Sequence, residues 1–324
     1  ARGRTAANVR PAVTLRAAMG AAFTGVRHVT VGFGDGCAVT AAGEMWCWGD
    51  NTDNCRGAWE MPQVFPTRFL RSATGPAFEA VPESVAMGYA AGCATQASDG
   101  VAYCWGYNAS GMNGNGTFTV RDVPRPVVDA MGASMRNFRR FTITRSASCA
   151  VRDDDTVWCW GSVGLGALIP PVGGPDTPSA RQVMLGDAPF TAALIHSEDA
   201  NDSDGTPDFP IHVCAVRPDG SVWCWGRNTR GALGDGTTTD HATPAPVIEG
   251  TAPLRGAMTT RHSITGTCAL LADGTVRCWG YNQYGQLGDG TTTNRLTATT
   301  VLGPDGRPLD NVTQIASLGV FTRC

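Results

Sequence analysis

The chain has 324 residues, of which 42% are hydrophobic, so it is long enough to bury a large core or a series of smaller ones. Its formal net charge of −3 does not favour nucleic acid as a partner. The sequence contains no run of 18 apolar residues, so no membrane-spanning helix is predicted.

Five segments of the chain repeat one pattern, in which a cysteine is followed by about nine intervening residues and then by Cys-Trp-Gly. In chain order they run from Cys37 to Gly49, Cys93 to Gly106, Cys149 to Gly161, Cys214 to Gly226 and Cys268 to Gly280. A period of about 54–65 residues, rich in glycine and short strands, is typical of β-propellers. The sequence therefore predicts an all-β fold of four-stranded antiparallel blades.

The fifth copy indicates how the two cysteines of each segment meet. Asp273-Gly274 is a hairpin turn signal, and a three-residue loop over 272–274 places Cys268 opposite Cys278. The two cysteines then form a non-hydrogen-bonded pair, where side chains approach most closely, so a cross-strand disulfide fits. The alternatives are pairs of free thiols or metal ligands, although zinc sites usually place cysteines two to four residues apart.

The same count applies to the other copies, with two variations in the turn. The third copy has Asp at 155 where glycine usually stands, and the second needs a four-residue loop over 97–100. We predict five disulfides: Cys37–Cys47, Cys93–Cys104, Cys149–Cys159, Cys214–Cys224 and Cys268–Cys278. This number indicates an oxidising compartment, so we expect an extracellular, cell-surface or periplasmic protein whose targeting segment has been removed or was not included.

The loop after each Trp-Gly is fullest in the fifth copy, where residues 285–290 read Gly-Gln-Leu-Gly-Asp-Gly. Together with the Asp-Gly turn and the Trp-Gly, this loop resembles the regulator of chromosome condensation repeat family. The resemblance covers nearly the whole chain, and it is specific in the fourth and fifth copies and degraded in the first and third. It implies a β-propeller, usually of seven four-stranded blades, and the cysteine pair is typical of secreted bacterial members.

Both ends of the chain resemble parts of a repeat. Residues 8–15 resemble the outer half of a repeat, and residues 312–324 resemble the opening half of one. In one interpretation the two ends close a six-bladed ring; in the other, the chain is a segment of a longer protein, which the family's seven blades favour. We expect one propeller domain over 1–324. Its full repeats and its two terminal partial repeats are predicted at 26–80, 81–137, 138–190, 191–255, 256–310, 1–25 and 311–324.

Two cysteines, Cys55 and Cys324, fall outside this pairing. A bond between them would close the ring or link neighbouring molecules, because an unpaired cysteine in a secreted protein favours intermolecular linkage. The alternative is that Cys324 pairs with a residue beyond the visible end, and that Cys55 is free or pairs elsewhere.

An acidic insertion over 197–208 precedes the fourth copy, and its Asp202-x-Asp204-Gly-x-x-Asp208 run resembles the calcium loops of thrombospondin-type repeats. Calcium needs oxygen ligands at alternate positions and a glycine for the sharp turn. The candidate ligands of this possible calcium cofactor are Asp199, Asn201, Asp202, Asp204 and Asp208. The alternative is a solvated acidic loop, because Ala200 stands where an EF-hand loop has its first ligand.

No catalytic residue is predicted, because the five histidines do not recur in phase with an acid and a nucleophile. The tryptophans beside the disulfides are expected to pack between blades; they are Trp48, Trp105, Trp160, Trp225 and Trp279.

Because propellers carry their function in loops, we predict a non-enzymatic extracellular protein. Its expected role is to bind a protein partner or to self-associate as a surface structural component. Two alternatives are a secreted inhibitor, similar in architecture to the propeller-type β-lactamase inhibitor, and a ligand-binding propeller. A nucleotide-exchange factor and a propeller enzyme are less favoured.

Overall fold

The structure, a computed structural model, describes residues 23–32, 35–49, 63–71, 75–88, 90–162, 176–197, 212–263 and 266–316. These residues form five four-stranded antiparallel sheets, whose strands follow one another in chain order, and two two-stranded hairpins. Each four-stranded sheet is one blade of a β-propeller, and the predicted all-β class is confirmed. The expectation of seven blades, or six in a closed ring, involves residues outside this part of the chain.

The blades are numbered 1 to 5 in chain order. Blade 1 contains β1 (Val26–Val31), β2 (Asp35–Thr40), β3 (Met45–Gly49) and β4 (Gln63–Arg68). Blade 2 contains β5 (Ala86–Met87), β6 (Ala91–Thr95), β7 (Ala102–Gly106) and β8 (Arg121–Pro126). Blade 3 contains β9 (Phe138–Ile143), β10 (Ala147–Arg152), β11 (Val157–Gly161) and β12 (Thr177–Gln182).

Between blades 3 and 4 lies a two-stranded hairpin of β13 (Met184–Leu185) and β14 (Ala188–Pro189). Blade 4 contains β15 (Leu194–Ser197), β16 (His212–Val216), β17 (Val222–Gly226) and β18 (His241–Pro246). A second hairpin, β19 (Ile248–Glu249) and β20 (Ala252–Pro253), precedes blade 5. Blade 5 contains β21 (Ala257–Ser263), β22 (Gly266–Leu271), β23 (Val276–Gly280) and β24 (Arg295–Thr300).

Helical structure in the described residues is limited to two 3-10 turns, Pro82–Ser84 and Thr229–Gly231. Across this part of the chain, no helix has both the length and the apolar character needed to cross a membrane.

The central hairpin of blade 5 has the predicted register: Cys268 lies opposite Cys278, and Leu270 opposite Val276. Its turn closes where the Gly274 amide donates to the Leu271 carbonyl at 3.0 Å, with Gly274 at a φ of +79°. In blade 3 the equivalent residue is Asp155, which takes the same left-handed conformation with a φ of 64°. The prediction that Asp replaces glycine in this turn is therefore confirmed.

The segment Pro246 to Ile248, which follows a Thr/Pro-rich stretch and is an outer-strand candidate in the sequence of blade 4, lies only partly in that strand. Strand β18 ends at Pro246, and Ile248 begins the hairpin β19–β20. The strand stops there because the Ile248 amide donates at 2.8 Å to the Gly234 carbonyl of the loop that precedes the strand, rather than to the ladder of the blade. Val247, between them, is fully buried.

The hydrophobic core lies between the blades, where one tryptophan from each of blades 2 to 5 packs against the preceding blade. Trp279 of blade 5 shares one cluster with Val216 and Leu233 of blade 4. Trp105, Trp160 and Trp225 lie in the equivalent clusters at the three earlier interfaces. All four indoles are fully buried, which confirms their predicted packing role, whereas Trp48 of blade 1 is only partly buried.

Candidate protein-binding face

The loop after the Trp-Gly of blade 5 is organised around one buried asparagine, Asn282, which has no exposed surface. Its Oδ1 accepts a hydrogen bond from the Leu287 amide at 2.9 Å. Its Nδ2 donates to Asp289 Oδ1 at 3.0 Å and to the carbonyls of Thr291 and Thr293, each at 3.1 Å. One side chain therefore fixes the start, middle and end of the loop.

The loops of blades 4 and 2 are held in the same way. Asn228 accepts from the Leu233 amide at 2.9 Å and donates to Asp235 at 3.1 Å. Asn108 of blade 2 is also fully buried and accepts from the Asn113 amide at 2.8 Å. The sequence interpretation missed these asparagines, although a signal was present: in each of the three copies, Asn stands two residues after the Trp-Gly.

Asp289 ties this loop to strand β24 through Arg295, whose Nε donates to Asp289 Oδ2 at 2.6 Å. Burial alone would raise the pKa of the Asp289 carboxyl. The hydrogen bonds from Arg295, Thr291 and Asn282 outweigh that effect and lower the pKa to about 2. The carboxylate is therefore ionised at neutral pH, as its role as an acceptor requires.

The loops of blades 4 and 5 present a surface group of side chains, which we call the aromatic patch: the exposed Arg230, Gln283 and Tyr284 and the half-buried Tyr281. The Arg230 guanidinium lies over the Tyr281 ring, 4.4 Å from its centroid, and so joins the two loops. Tyr281 packs edge to face against Tyr284, with 6.0 Å between the ring centroids. Its hydroxyl donates a hydrogen bond to Gln283 Oε1 at 2.6 Å. Tyr284 is 83% exposed.

The conformation of Arg230 is set by the backbone of its loop, since this residue has a φ of 74°. Such a left-handed conformation is uncommon for a residue with a side chain. With this backbone conformation, Arg230 places its guanidinium over the Tyr281 ring.

The ten cysteines of the repeats lie in five disulfides, in each of which the Cα atoms are 4.1 Å apart. These bonds join Cys37 to Cys47, Cys93 to Cys104, Cys149 to Cys159, Cys214 to Cys224 and Cys268 to Cys278. Cys55, Cys324 and the calcium candidates Asp199, Asn201, Asp202, Asp204 and Asp208 lie outside the described residues.

Comparison with known families identifies the repeat. Two models of the "Regulator of chromosome condensation (RCC1) repeat" match the chain, one over residues 219–255 and the other over residues 265–286. Residues 219–255 and 265–286 are repeats of the regulator of chromosome condensation family. Both matched segments fall in the part of the chain that forms blades 4 and 5 and carries the aromatic patch.

Curated relatives share this repeat in longer proteins. The chain is 27% identical over 297 residues to "E3 ubiquitin-protein ligase HERC2" of Homo sapiens, and the matched region covers 90% of this chain and 6% of the ligase. It is 36% identical over 103 residues to "Ultraviolet-B receptor UVR8" of Arabidopsis thaliana, covering 31% of this chain and 22% of the receptor. The chain thus spans less than a quarter of either relative.

Solved structures show the same fold at low sequence identity. Yeast RCC1 (Prp20), in its complex with Kap60, has a TM-score of 0.62 and 16% identity, covering 91% of this chain and 65% of that one. Human WBSCR16 has a TM-score of 0.56 and 16% identity, and the match covers 88% of this chain and 84% of WBSCR16. These likenesses support the β-propeller fold and not a particular partner.

Proposed function

We propose that this chain is a non-enzymatic, extracellular β-propeller that binds a protein partner through the aromatic patch. The observation that carries the proposal is the exposed Tyr284, held edge to face against Tyr281 on a loop that a buried asparagine fixes. Binding of protein also agrees with the solved relative RCC1, which was crystallised with the protein Kap60.

The chemistry of the patch suits a protein surface. Tyrosine and arginine are the residues that most often dominate the binding energy of protein interfaces, because they combine a large apolar area with polar groups. Tyrosine also loses little conformational freedom on binding. Since Arg230 and Tyr284 are already held by Tyr281, a partner would meet a preorganised surface, which lowers the entropic cost of association.

The extracellular location is supported by the disulfides, one in each of the five described blades. Such bonds persist in oxidising compartments and are rare in the cytosol. A non-enzymatic role is supported by the receptor among the relatives and by the small share, 6%, of the matched ligase that this chain covers.

The partner itself is the unknown, so the test compares variants of this chain. The native chain, the double variant Arg230→Ala/Tyr284→Ala and the control Met131→Ala are immobilised and exposed to extracellular proteins of the source organism. Met131 is a matched control because it is 96% exposed and lies in the turn after β8, the last strand of blade 2, away from the patch. We expect a protein that binds the native chain and the control but not the double variant.

A second copy of the chain is one possible partner, and sedimentation velocity of the same three proteins measures it. Self-association that only the patch variant loses would make this propeller an assembly component. Retention of the same proteins by all three forms, or by none, would refute binding through the patch.

Two sequence-derived proposals are tested separately. Calcium binding by the insertion at 197–208 predicts heat release on calcium titration, which Asp202→Asn/Asp204→Asn abolishes. Linkage through Cys55 and Cys324 predicts that mass-spectrometric disulfide mapping finds these residues joined to each other or between molecules.

A further inference from the structure

Two buried histidines meet at the interface of blades 4 and 5. His212 lies on β16, two residues before Cys214, and His262 lies on β21. His262 Nδ1 is 3.1 Å from His212 Nε2, and both nitrogens lie close to the Thr267 hydroxyl, at 3.1 and 2.9 Å. Three polar atoms from two blades therefore converge on one point that is closed to solvent.

Two other interfaces show that the fold does not need imidazoles here. At the interface of blades 2 and 3 the positions equivalent to His212 and His262 hold Ala91 and Ile143, and at that of blades 3 and 4 they hold Ala147 and Ser197. The equivalence follows from the strand pairing, which places Ile143 opposite Ser148 just as it places His262 opposite Thr267. The histidine pair is thus particular to one of these interfaces.

A third ligand type lies beside the pair, because Cys214 Sγ is within 4.8 Å of a ligand nitrogen of each histidine. In the present structure this sulfur is bonded to Cys224. We propose that the thiolate of Cys214, when it is not in the disulfide, joins His212 and His262 to bind a divalent transition metal ion of the zinc type. Metal binding and the Cys214–Cys224 bond would then exclude each other.

The geometry is close to what such a site needs. Zinc binds imidazole nitrogen at about 2.0–2.1 Å and thiolate at about 2.3 Å, so in a tetrahedral site two ligand atoms lie roughly 3.3–3.6 Å apart. The two nitrogens, at 3.1 Å, are already near that separation. The sulfur has to move by only about 1 Å relative to them, which rotation of a released Cys214 side chain permits.

The protonation state also fits, because a metal ligand must be a neutral imidazole. Burial lowers the pKa of His262 well below its usual value, and the neighbouring His212, His196 and Arg261 lower it further. Its remaining nitrogen, Nε2, is buried without a hydrogen-bond partner among the described residues. The nearby Arg261 charge opposes a cation, and the thiolate of Cys214 offsets that charge.

The chemistry that opens the site is thiol–disulfide exchange. A dithiol reductant supplies two electrons and two protons, so that the Cys214–Cys224 bond becomes two thiols while the reductant becomes a disulfide. As the metal–sulfur bond forms, the Cys214 thiol releases its proton to solvent. No oxidant is required, and reoxidation would expel the metal.

Single serine variants test the site without a reductant. Cys224→Ser leaves the Cys214 thiol beside the two histidines, whereas Cys159→Ser leaves the Cys149 thiol beside Ala147 and Ser197. Both variants break one buried disulfide of equal geometry and share any background from Cys55 and Cys324. We expect Co²⁺ to give a thiolate-to-cobalt charge-transfer band with Cys224→Ser, at an affinity at least about tenfold above that of Cys159→Ser.

Adding His262→Gln to Cys224→Ser should remove the charge-transfer band. If the double variant keeps the melting temperature of Cys224→Ser, the loss of the band reports a lost ligand, because a purely structural role of His262 would leave cobalt binding intact. Equal cobalt binding by Cys224→Ser and Cys159→Ser would overturn the proposal. If Cys224→Ser does not fold, the native chain is partly reduced with a phosphine, with Zn²⁺ or Mg²⁺ present. Zinc should then slow alkylation of Cys214 relative to Cys149, and equal rates would refute the site.

Discussion

Replacement of Asn282 by alanine should destabilise the blade 5 loop by about 1–3 kcal/mol. The largest part comes from the Leu287 amide, which is buried and has Asn282 Oδ1 as its acceptor at 2.9 Å. A buried donor left without a partner costs about 1–3 kcal/mol. The Thr291 and Thr293 residues are exposed, so water replaces the hydrogen bonds to their carbonyls and these losses add little.

Hydrogen exchange of the Leu287 amide measures this effect directly, because it reports local opening even where global unfolding of a repeat protein is not two-state. The exposed neighbour Gln283→Ala is the control and should change protection by less than about 0.5 kcal/mol. Asn282→Asp keeps the acceptor but places a second carboxylate 3.0 Å from Asp289 Oδ1. The loss of Leu287 protection in Asn282→Asp should therefore become smaller in acid, whereas the loss in Asn282→Ala should not change. Unchanged Leu287 protection in Asn282→Ala would refute this account of the loop.

Three further predictions concern the interfaces and the pH response. Gly92→Ala should destabilise the fold by about 1–3 kcal/mol in urea denaturation, because its Cβ would lie 2.5 Å from the Trp105 ring. Trp279→Phe should cost about 1–3 kcal/mol in the same assay, since it removes volume and the 2.9 Å hydrogen bond from Nε1 to the Ala232 carbonyl. The pKa of Asp289, about 2 in the folded chain, lies below its ordinary value of 3.8, so the ionised carboxyl stabilises the fold above pH 4 and that stability is lost as the pH falls towards 2. The melting temperatures of the native chain and Asp289→Asn should therefore converge over that pH range.

The hairpins of the blades could be predicted from the sequence because their interactions are local. A turn signal and the two-residue period of a strand together fix which residues face each other, as Cys268 and Cys278 do. The same reasoning located Asp155 in a left-handed conformation. It did not locate the end of β18, because the partner of the Ile248 amide is the Gly234 carbonyl, in a loop.

Apart from the packing of the tryptophans, contacts between blades could not be predicted from the sequence of single repeats. His212 and His262 are 50 positions apart in the chain and meet only because one blade packs on the next. The recurring asparagine two residues after Trp-Gly was visible in four of the five copies, but its role depends on how the loop closes around it. Arg230 meets Tyr281 for the same reason as the histidines, since each belongs to a different blade.

The aromatic patch depends on the interface beneath it. Arg230 of blade 4 stacks on Tyr281 of blade 5, so the patch keeps its shape only while the two blades hold a fixed relative position. Trp279 supplies that constraint by donating to the Ala232 carbonyl, two residues after Arg230, from a position two residues before Tyr281. The Cys214–Cys224 disulfide lies in the same cluster as this indole. A change at this buried interface, whether a truncated tryptophan or a released cysteine, would therefore be transmitted to the surface that we propose binds a partner.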